Sequence, residues 1–231
     1  GDVFPMHTRL NGRLVIATVS ALIVSGGIGF AVIGNLRACL PPRLRHPFSP
    51  LRRRKAPALS LNSRIVLKYT AGLVIAGAAA VYFLEHGGAM KDYSLGDQYF
   101  SAFFQSVTLR TAGFNSIPFG SLRDATYMIM ILFMFIGAAS GSTAGGIKIG
   151  SLAVILSSLR AFMRGEKTPT LRNTSIPFER VSRAYLILLF GIGAVFLGTL
   201  VLTLTESASF LHLLFETVSA FGTVGLSAGV T

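Results

Sequence analysis

The sequence predicts an all-α integral membrane protein built from repeated helical units, one of whose membrane helices is broken by a glycine-rich loop. Three observations carry that prediction. The 231 residues are 52% hydrophobic and only 13% charged, about half the charge of a soluble domain, too little to hide that much apolar surface. Long charge-free runs alternate with polar segments whose charge changes character from one to the next. A pair of short motifs then occurs twice, each time behind an apolar segment too short to cross a bilayer. A disordered chain would need the opposite composition, and the single cysteine, Cys39, excludes a disulfide scaffold.

Residues 14–36 carry no charge, enough helix to cross the ~30 Å of a bilayer's hydrocarbon. The run is too long for a signal peptide and has no small-residue cleavage site. The segment that follows is basic and proline-rich: Arg37, Arg43, Arg45, Arg52, Arg53, Arg54, Lys55 and Arg64 stand there without an acidic residue, among Pro41, Pro42, Pro47, Pro50 and Pro57. It reads as a linker or docking surface. Residues 65–84 form the next span, with Lys68 close enough to its end to snorkel. Residues 184–204 form another. Residues 125–163 would be roughly 58 Å long as one helix, and Gly137–Gly146 in their middle is a poor helix sequence. This stretch is expected to be a broken helix around an irregular loop at membrane depth, shielded from lipid.

The charges set the orientation. Segments 37–64 and 160–183 are basic, whereas 85–124 holds four acidic and three basic residues and only Glu206 and Glu216 follow Thr205. The positive-inside bias then puts the N-terminus outside, 37–64 and 160–183 inside, and 85–124 and the C-terminus outside. Arg9 and Arg13 run mildly against it. The same alternation argues against a nucleic-acid partner, although the net charge is +12.

Two short segments, 98–109 and 209–221, are expected to be re-entrant helices. Phe104-Gln-Ser-Val-Thr108 matches Phe215-Glu-Thr-Val-Ser219 at an offset of 111, and Thr111-Ala-Gly-Phe-Asn115 matches Thr223-Val-Gly-Leu-Ser227 at 112. A short helix that dips into the membrane and returns through an extended loop is the layout of an ion-selectivity filter, whose carbonyls replace a cation's water shell. Glycine lets the backbone approach the ion, and a helix C-terminus aims its partial negative charge there. The plainer alternative is a pair of surface helices with ordinary glycine turns. Two such repeats do not enclose a pore by themselves.

At Ser106-Val-Thr-Leu-Arg-Thr-Ala-Gly-Phe-Asn115, Gly141-Ser-Thr-Ala-Gly-Gly-Ile-Lys148 and Phe215-Glu-Thr-Val-Ser-Ala-Phe-Gly-Thr-Val-Gly-Leu-Ser227 the chain resembles the Trk/Ktr/HKT superfamily of potassium transporters, most closely the pore subunit of bacterial Ktr-type uptake systems. That family builds one pore from four repeats of helix, pore helix, filter and helix, as in potassium channels. The resemblance implies that residues 1–36 hold the last helix of repeat 2, and that 37–64 is a cytoplasmic loop. Residues 65–163 are then repeat 3, with pore helix 98–109, filter 110–116 and broken helix 125–163. Residues 164–183 form a second cytoplasmic loop, and 184–231 are repeat 4 up to its filter, with pore helix 209–221 and filter 222–227. The chain thus resembles about half a transporter.

The resemblance further implies that Thr111, Ala112, Gly113 and Phe114, with Thr223, Val224, Gly225 and Leu226, line a potassium path, supported by Arg110, Asn115 and Gly222. Gly137, Ser140, Gly141, Ser142, Thr143, Gly145, Gly146 and Lys148 would form a gate beneath it. Potassium is the transported ion, sodium a coupling or activating ion, and no organic cofactor is expected. The implied partners are a second copy of the subunit, a cytosolic nucleotide-binding regulatory ring and the lipid bilayer; the implied location is the bacterial cytoplasmic membrane, crossed several times.

Several residues keep two readings. Arg110 either organises the filter, through backbone carbonyls or Glu216, or snorkels at the outer mouth. The glycine-rich loop is either a gate or a close helix–helix contact; as a phosphate cradle it fails, because Ile147 separates Gly146 from Lys148 and no Ser or Thr follows. His7, His46, His86 and His212 are scattered, and His212 with Glu216 at i and i+4 reads as structural. No nucleophile–base pair or paired carboxylates stand out, so an enzyme is not expected. A secondary carrier with a midplane site at the broken helix and a non-transporting scaffold with basic docking loops are the rival functions.

Overall fold

The computed structural model describes residues 12–40, 57–172 and 174–230; Arg9 and most of the proline-rich loop, 41–56, lie outside them. The helices are α1 (Gly12–Ile28), α2 (Phe30–Cys39), α3 (Leu61–Glu85), α4 (Leu95–Thr108), α5 (Asp124–Phe135), α6 (Ile149–Met163), α7 (Phe178–Thr205) and α8 (Phe210–Phe221). α3 and α7, of 25 and 28 residues, are long and apolar enough to cross a membrane. α5 and α6 are each shorter than a span. The architecture is that of an all-α membrane protein, as the sequence predicts.

One expected span is different. Residues 14–36 are not one straight helix but two, α1 and α2, meeting at 98°. Gly29 sits between them at φ +85°, a left-handed conformation that ends the helix and that glycine adopts without steric cost. The bend is filled from outside: Ala139 N donates to Gly27 O, and Phe30 N donates to Gly141 O. The backbone groups that the break frees are therefore satisfied by the glycine-rich loop, as a low-dielectric setting requires. A Cβ on Gly29 would lie 3.2 Å from Ser140 O.

Serine hydroxyls start the helices that enter buried surroundings. Ser60, Ser94 and Ser209 accept from Ser63 N, Asp97 N and His212 N, satisfying first-turn donors. The Ser94 cap explains why α4 begins at Leu95, three residues before its expected start. Asp97 also pairs with Arg13 at 2.7 Å, so the arginine that ran against the charge rule is neutralised at the start of α4.

α4 packs between α3 and α1, and α8 packs between α5 and α7. The main core lies under α8, where Tyr127, Met130 and Met134 of α5 meet Val195 of α7 and Phe215 and Val218 of α8. α7 keeps a broad apolar face outward, with Leu189, Phe190 and Phe196 exposed, the pattern of a lipid-facing span. In the 164–183 segment the structure adds a small hairpin, β1 (Thr170–Leu171) against β2 (Thr174–Ser175), antiparallel with Thr170 opposite Ser175. Ser157 Oγ ties it to α6 by donating to Thr170 O.

Candidate ion pathway

Both short helices end in the same backbone geometry. After α4, Thr111 and Gly113 lie at φ +76° and +74°; after α8, Thr223 and Gly225 lie at +53° and +82°. Threonine is β-branched and enters this region at a cost of about 1–3 kcal/mol, so its recurrence at equivalent positions marks a constrained loop. A strand alternates its peptide groups from side to side; a left-handed residue at every second position breaks that alternation in both loops. The loops also touch. A Cβ on Gly113 would lie 2.7 Å from Val224 O and 3.1 Å from Gly225 O. Val224 and Leu226 anchor the second loop in the core, while Thr223 and Gly225 are exposed toward a groove of about 950 Å³ between α7 and α8.

Each loop is clamped to its own helix at matching positions. In the first, Thr108 Oγ1 accepts from Phe114 N at 2.8 Å, and Gln105 Oε1 accepts from Ser116 N at 3.5 Å and Ser116 Oγ at 3.4 Å. In the second, Ser219 Oγ donates to Leu226 O at 2.6 Å, and Glu216 Oε1 accepts from Ser227 Oγ and Ala228 N, both at 2.7 Å. Gln105, Thr108 and Ser219 were not singled out from sequence; their signal was the motif match itself, since clamp and loop repeat together. Asn115 is buried beside the first clamp. His212 packs its ring on Tyr127, centroids 5.1 Å apart.

The glycine-rich loop sits against the second of these loops. Gly145 N donates to Thr223 Oγ1 at 2.8 Å, and Gly146 N donates to Phe221 O at 3.2 Å. Ile136 and Ile147 pair in parallel, so the chain leaves the loop in the direction it entered, with α5 before it and α6 after it. Close approach needs the glycines: a Cβ on Gly137 would lie 1.9 Å from Gly145 O, one on Gly145 2.9 Å from Gly222 O, and one on Gly222 2.7 Å from Met134 O. Gly141 at the tip meets nothing within 4 Å, and Ser140 and Thr143 are exposed beside it. Ser142 Oγ turns back to Ala139 O, and Lys148 Nζ donates to Ala144 O, holding the descending side.

Arg110 joins the first loop to the same break. It is 3% exposed, so it does not snorkel, and its guanidinium donates to Ile136 O at 3.2 Å and Gly137 O at 3.0 Å. These are carbonyls left open where α5 ends, and a cation there answers both the orphan acceptors and the helix dipole. The arginine therefore binds backbone carbonyls, as one reading held, but those of the broken helix. Glu85, unremarked in the sequence, is fully buried and accepts from Ala89 N, Arg123 N and Thr126 Oγ1, fastening the end of α3 to the start of α5. Among the described residues no cluster of His, Cys, Asp and Glu is arranged to hold a metal.

Comparison with known proteins accords with this arrangement. The TrkH family of cation transport proteins matches residues 11–231. The chain belongs to the TrkH family. Its relatives include Ktr system potassium uptake protein B of Bacillus subtilis (strain 168), 39% identical over 92% of this chain and 45% of the relative. The protein of the same name in Vibrio alginolyticus is 35% identical over 98% and 48%, and potassium/sodium uptake protein NtpJ of Enterococcus hirae 31% over 94% and 46%. The potassium transporter TrkH of Vibrio parahaemolyticus shares the fold at a TM-score of 0.61 and 18% identity, over 93% of this chain and 46% of that one. The chain thus spans about half the length of the TrkH-family relatives it matches, and the family suggested by its three motifs is the one found.

Proposed function

We propose that this TrkH-family chain supplies two of the carbonyl-lined loops of a potassium uptake pathway, gated by the glycine-rich loop that touches one of them. The observation that carries the reading is the paired left-handed Thr-x-Gly geometry at residues 111–113 and 223–225, because a loop backbone taken out of strand alternation is free to serve carbonyl coordination of a partly dehydrated cation. Thr111, Ala112, Gly113 and Phe114 would line the path with Thr223, Val224, Gly225 and Leu226. Arg110, Asn115 and Gly222 support these segments.

Gating is supported by the direct bonds of Gly145 and Gly146 to the end of α8 and its loop, and by the Arg110 link from the other loop to Gly137. Movement of the glycine-rich loop would have to break contacts to both loops at once. The working protein would sit in a bacterial cytoplasmic membrane as a dimer, under a cytosolic nucleotide-binding ring, with sodium as a coupling or activating ion. These partners follow from the resemblance; the basic ends of α2, α3, α6 and α7 offer docking surface.

The test is uptake of potassium against sodium by the full-length protein in cells lacking other potassium uptake, beside Gly113→Ser and Gly225→Ser. Selective potassium uptake that either serine abolishes or opens to sodium is expected. Uptake indifferent to both would favour a carrier site in the broken helix, and no uptake with all partners present would favour a scaffold.

A further inference from the structure

The glycine-rich loop has two halves that are held by different means. Residues 137–142 are fastened to Arg110 and to the bent helix. Gly137 O accepts from Arg110 at 3.0 Å, Ala139 N donates to Gly27 O at 3.1 Å, and Gly141 O accepts from Phe30 N at 3.4 Å. Ala138 O accepts from Ile149 N at 3.1 Å, and Ser142 folds back onto Ala139 O. Among the described residues, 143–146 makes no bond to Arg110 or to the bent helix. This half is held instead by Gly145 N on Thr223 Oγ1 at 2.8 Å and Gly146 N on Phe221 O at 3.2 Å. Gly141 and Gly146, at φ +78° and +66°, bracket it. Where the halves meet, Gly137 faces Gly145 and Gly146, so no side chains interlock. Among the described residues, Thr111, the counterpart of Thr223 in the first loop, makes no hydrogen bond to either half.

We propose that residues 143–146 are the moving part of the gate, swinging on Gly141 and Gly146 while 137–142 stays in place, and that the Thr223 hydroxyl is the latch that keeps them against the second filter loop. The inference rests on the gating reading above and names the segment that moves and the residue that positions it. The whole loop can leave only by breaking its contacts to both filter loops; this half leaves by breaking those to one. Two neutral hydrogen bonds lie within reach of a two-state exchange, whereas the first half is also held by charge-assisted bonds from a buried arginine. A hinge needs a few residues that absorb a large dihedral change, and glycine does so without a Cβ clash. Thr223 then has two parts to play: its backbone belongs to the filter, and its hydroxyl sets where the gate rests.

The test is passive potassium flux through the purified full-length protein in liposomes, with no partner added. Thr223→Val keeps the β-branched shape and removes the acceptor. Flux about five-fold above the parent is expected, the weight of one neutral hydrogen bond on a mostly closed gate, with potassium still preferred to sodium. Loss of that preference would mean a disrupted filter rather than a released latch, and overturns the proposal. Thr223→Ser restores the acceptor and should rescue the parental flux. Gly145→Ala acts on the same contact from the other side, because its Cβ would lie 2.8 Å from Thr223 Cγ2 and 2.9 Å from Gly222 O, and should also raise flux. Phe30→Pro removes the N–H that holds the first half, at the first position of α2, where proline is tolerated. Phe30→Ala keeps that N–H; both should stay within about two-fold of the parent. Parental flux in Thr223→Val, or in Gly145→Ala if Thr223→Val fails to assemble, overturns the proposal. So does a rise in Phe30→Pro that matches the one in Thr223→Val. Altered flux in Phe30→Pro beside parental flux in both latch variants would remove this inference and leave the gating reading standing; parental flux in all three would remove the gating reading as well.

Discussion

At the scale of single residues, the glycines of the two loops are not equivalent. Gly113 faces the carbonyls of Val224 and Gly225 at 2.7 and 3.1 Å from its missing Cβ, whereas the missing Cβ of Gly225 meets only Gly113 Cα, at 3.8 Å. Gly113→Ala must push the neighbouring loop aside, while Gly225→Ala carries mainly the left-handed strain of about 1–2 kcal/mol. Potassium-over-sodium selectivity in uptake assays should fall further in Gly113→Ala than in Gly225→Ala; the reverse order would mean that the loops are not packed as described. Glu85 makes a separate prediction. Glu85→Ala strands three donors in the interior, at a cost of about 3–5 kcal/mol, and should lower the midpoint of thermal unfolding in detergent by many degrees. Glu85→Gln, which keeps an acceptor, should cost less than half of that. The Glu85 carboxylate could not be read from sequence, because its donors lie 4, 38 and 41 residues away.

At the scale of elements, the broken helix is stapled by Arg110 and by its own glycines, and the two can be separated. Arg110→Gln removes two charge-assisted bonds to the end of α5 and should reduce selective uptake at least ten-fold with the protein still present in the membrane. Parental transport and selectivity in that variant would sink the structural account of Arg110. Within the loop, Gly137→Ala meets Gly145 O at 1.9 Å and should prevent assembly, whereas Gly141→Ala meets nothing within 4 Å and carries only the strain of its left-handed φ of +78°, about 1–2 kcal/mol, and should still assemble, as judged by membrane abundance and size-exclusion profile. Sequence reading located this loop by its ten-residue lapse from helix formers. It missed the break at Gly29, because Gly26, Gly27 and Gly29 interrupt neither the apolar character nor the length of the run. A glycine in an apolar helix is tolerated often enough that only the loop packed into the bend decides it.

At the scale of the whole molecule, α3 packs on α4 and α7 on α8, and the two ends of the long helices differ in the charge that predominates. Arg37, Arg64, Arg160 and Arg164 gather at the end holding the hairpin, and Glu85, Asp97 and Asp124 at the other. α7 turns Phe190, 76% exposed near its middle, away from the protein. Phe190→Arg should oppose insertion of α7 by about 2.5–3.5 kcal/mol, read as a fall in the inserted fraction in a membrane-integration assay. Unchanged insertion would mean that this face does not lie at membrane depth.

The sequence by itself determined the class, the two long apolar helices α3 and α7, the two short helices α4 and α8 and the family, because those follow from hydropathy over tens of residues and from motifs that repeat along the chain. The 111-residue offset even carried the clamps, unrecognised, in the alignment of Gln105 with Glu216. Only the tertiary structure decided what each loop is held by: Arg110 on Ile136 and Gly137, Gly145 on Thr223, Ala139 on the Gly27 carbonyl of a bent helix. The physical reason is common to all three. A backbone carbonyl or amide left open by an irregular loop must find a partner when water is excluded, and every residue supplies the same group, so the identity of the partner leaves no mark on local sequence.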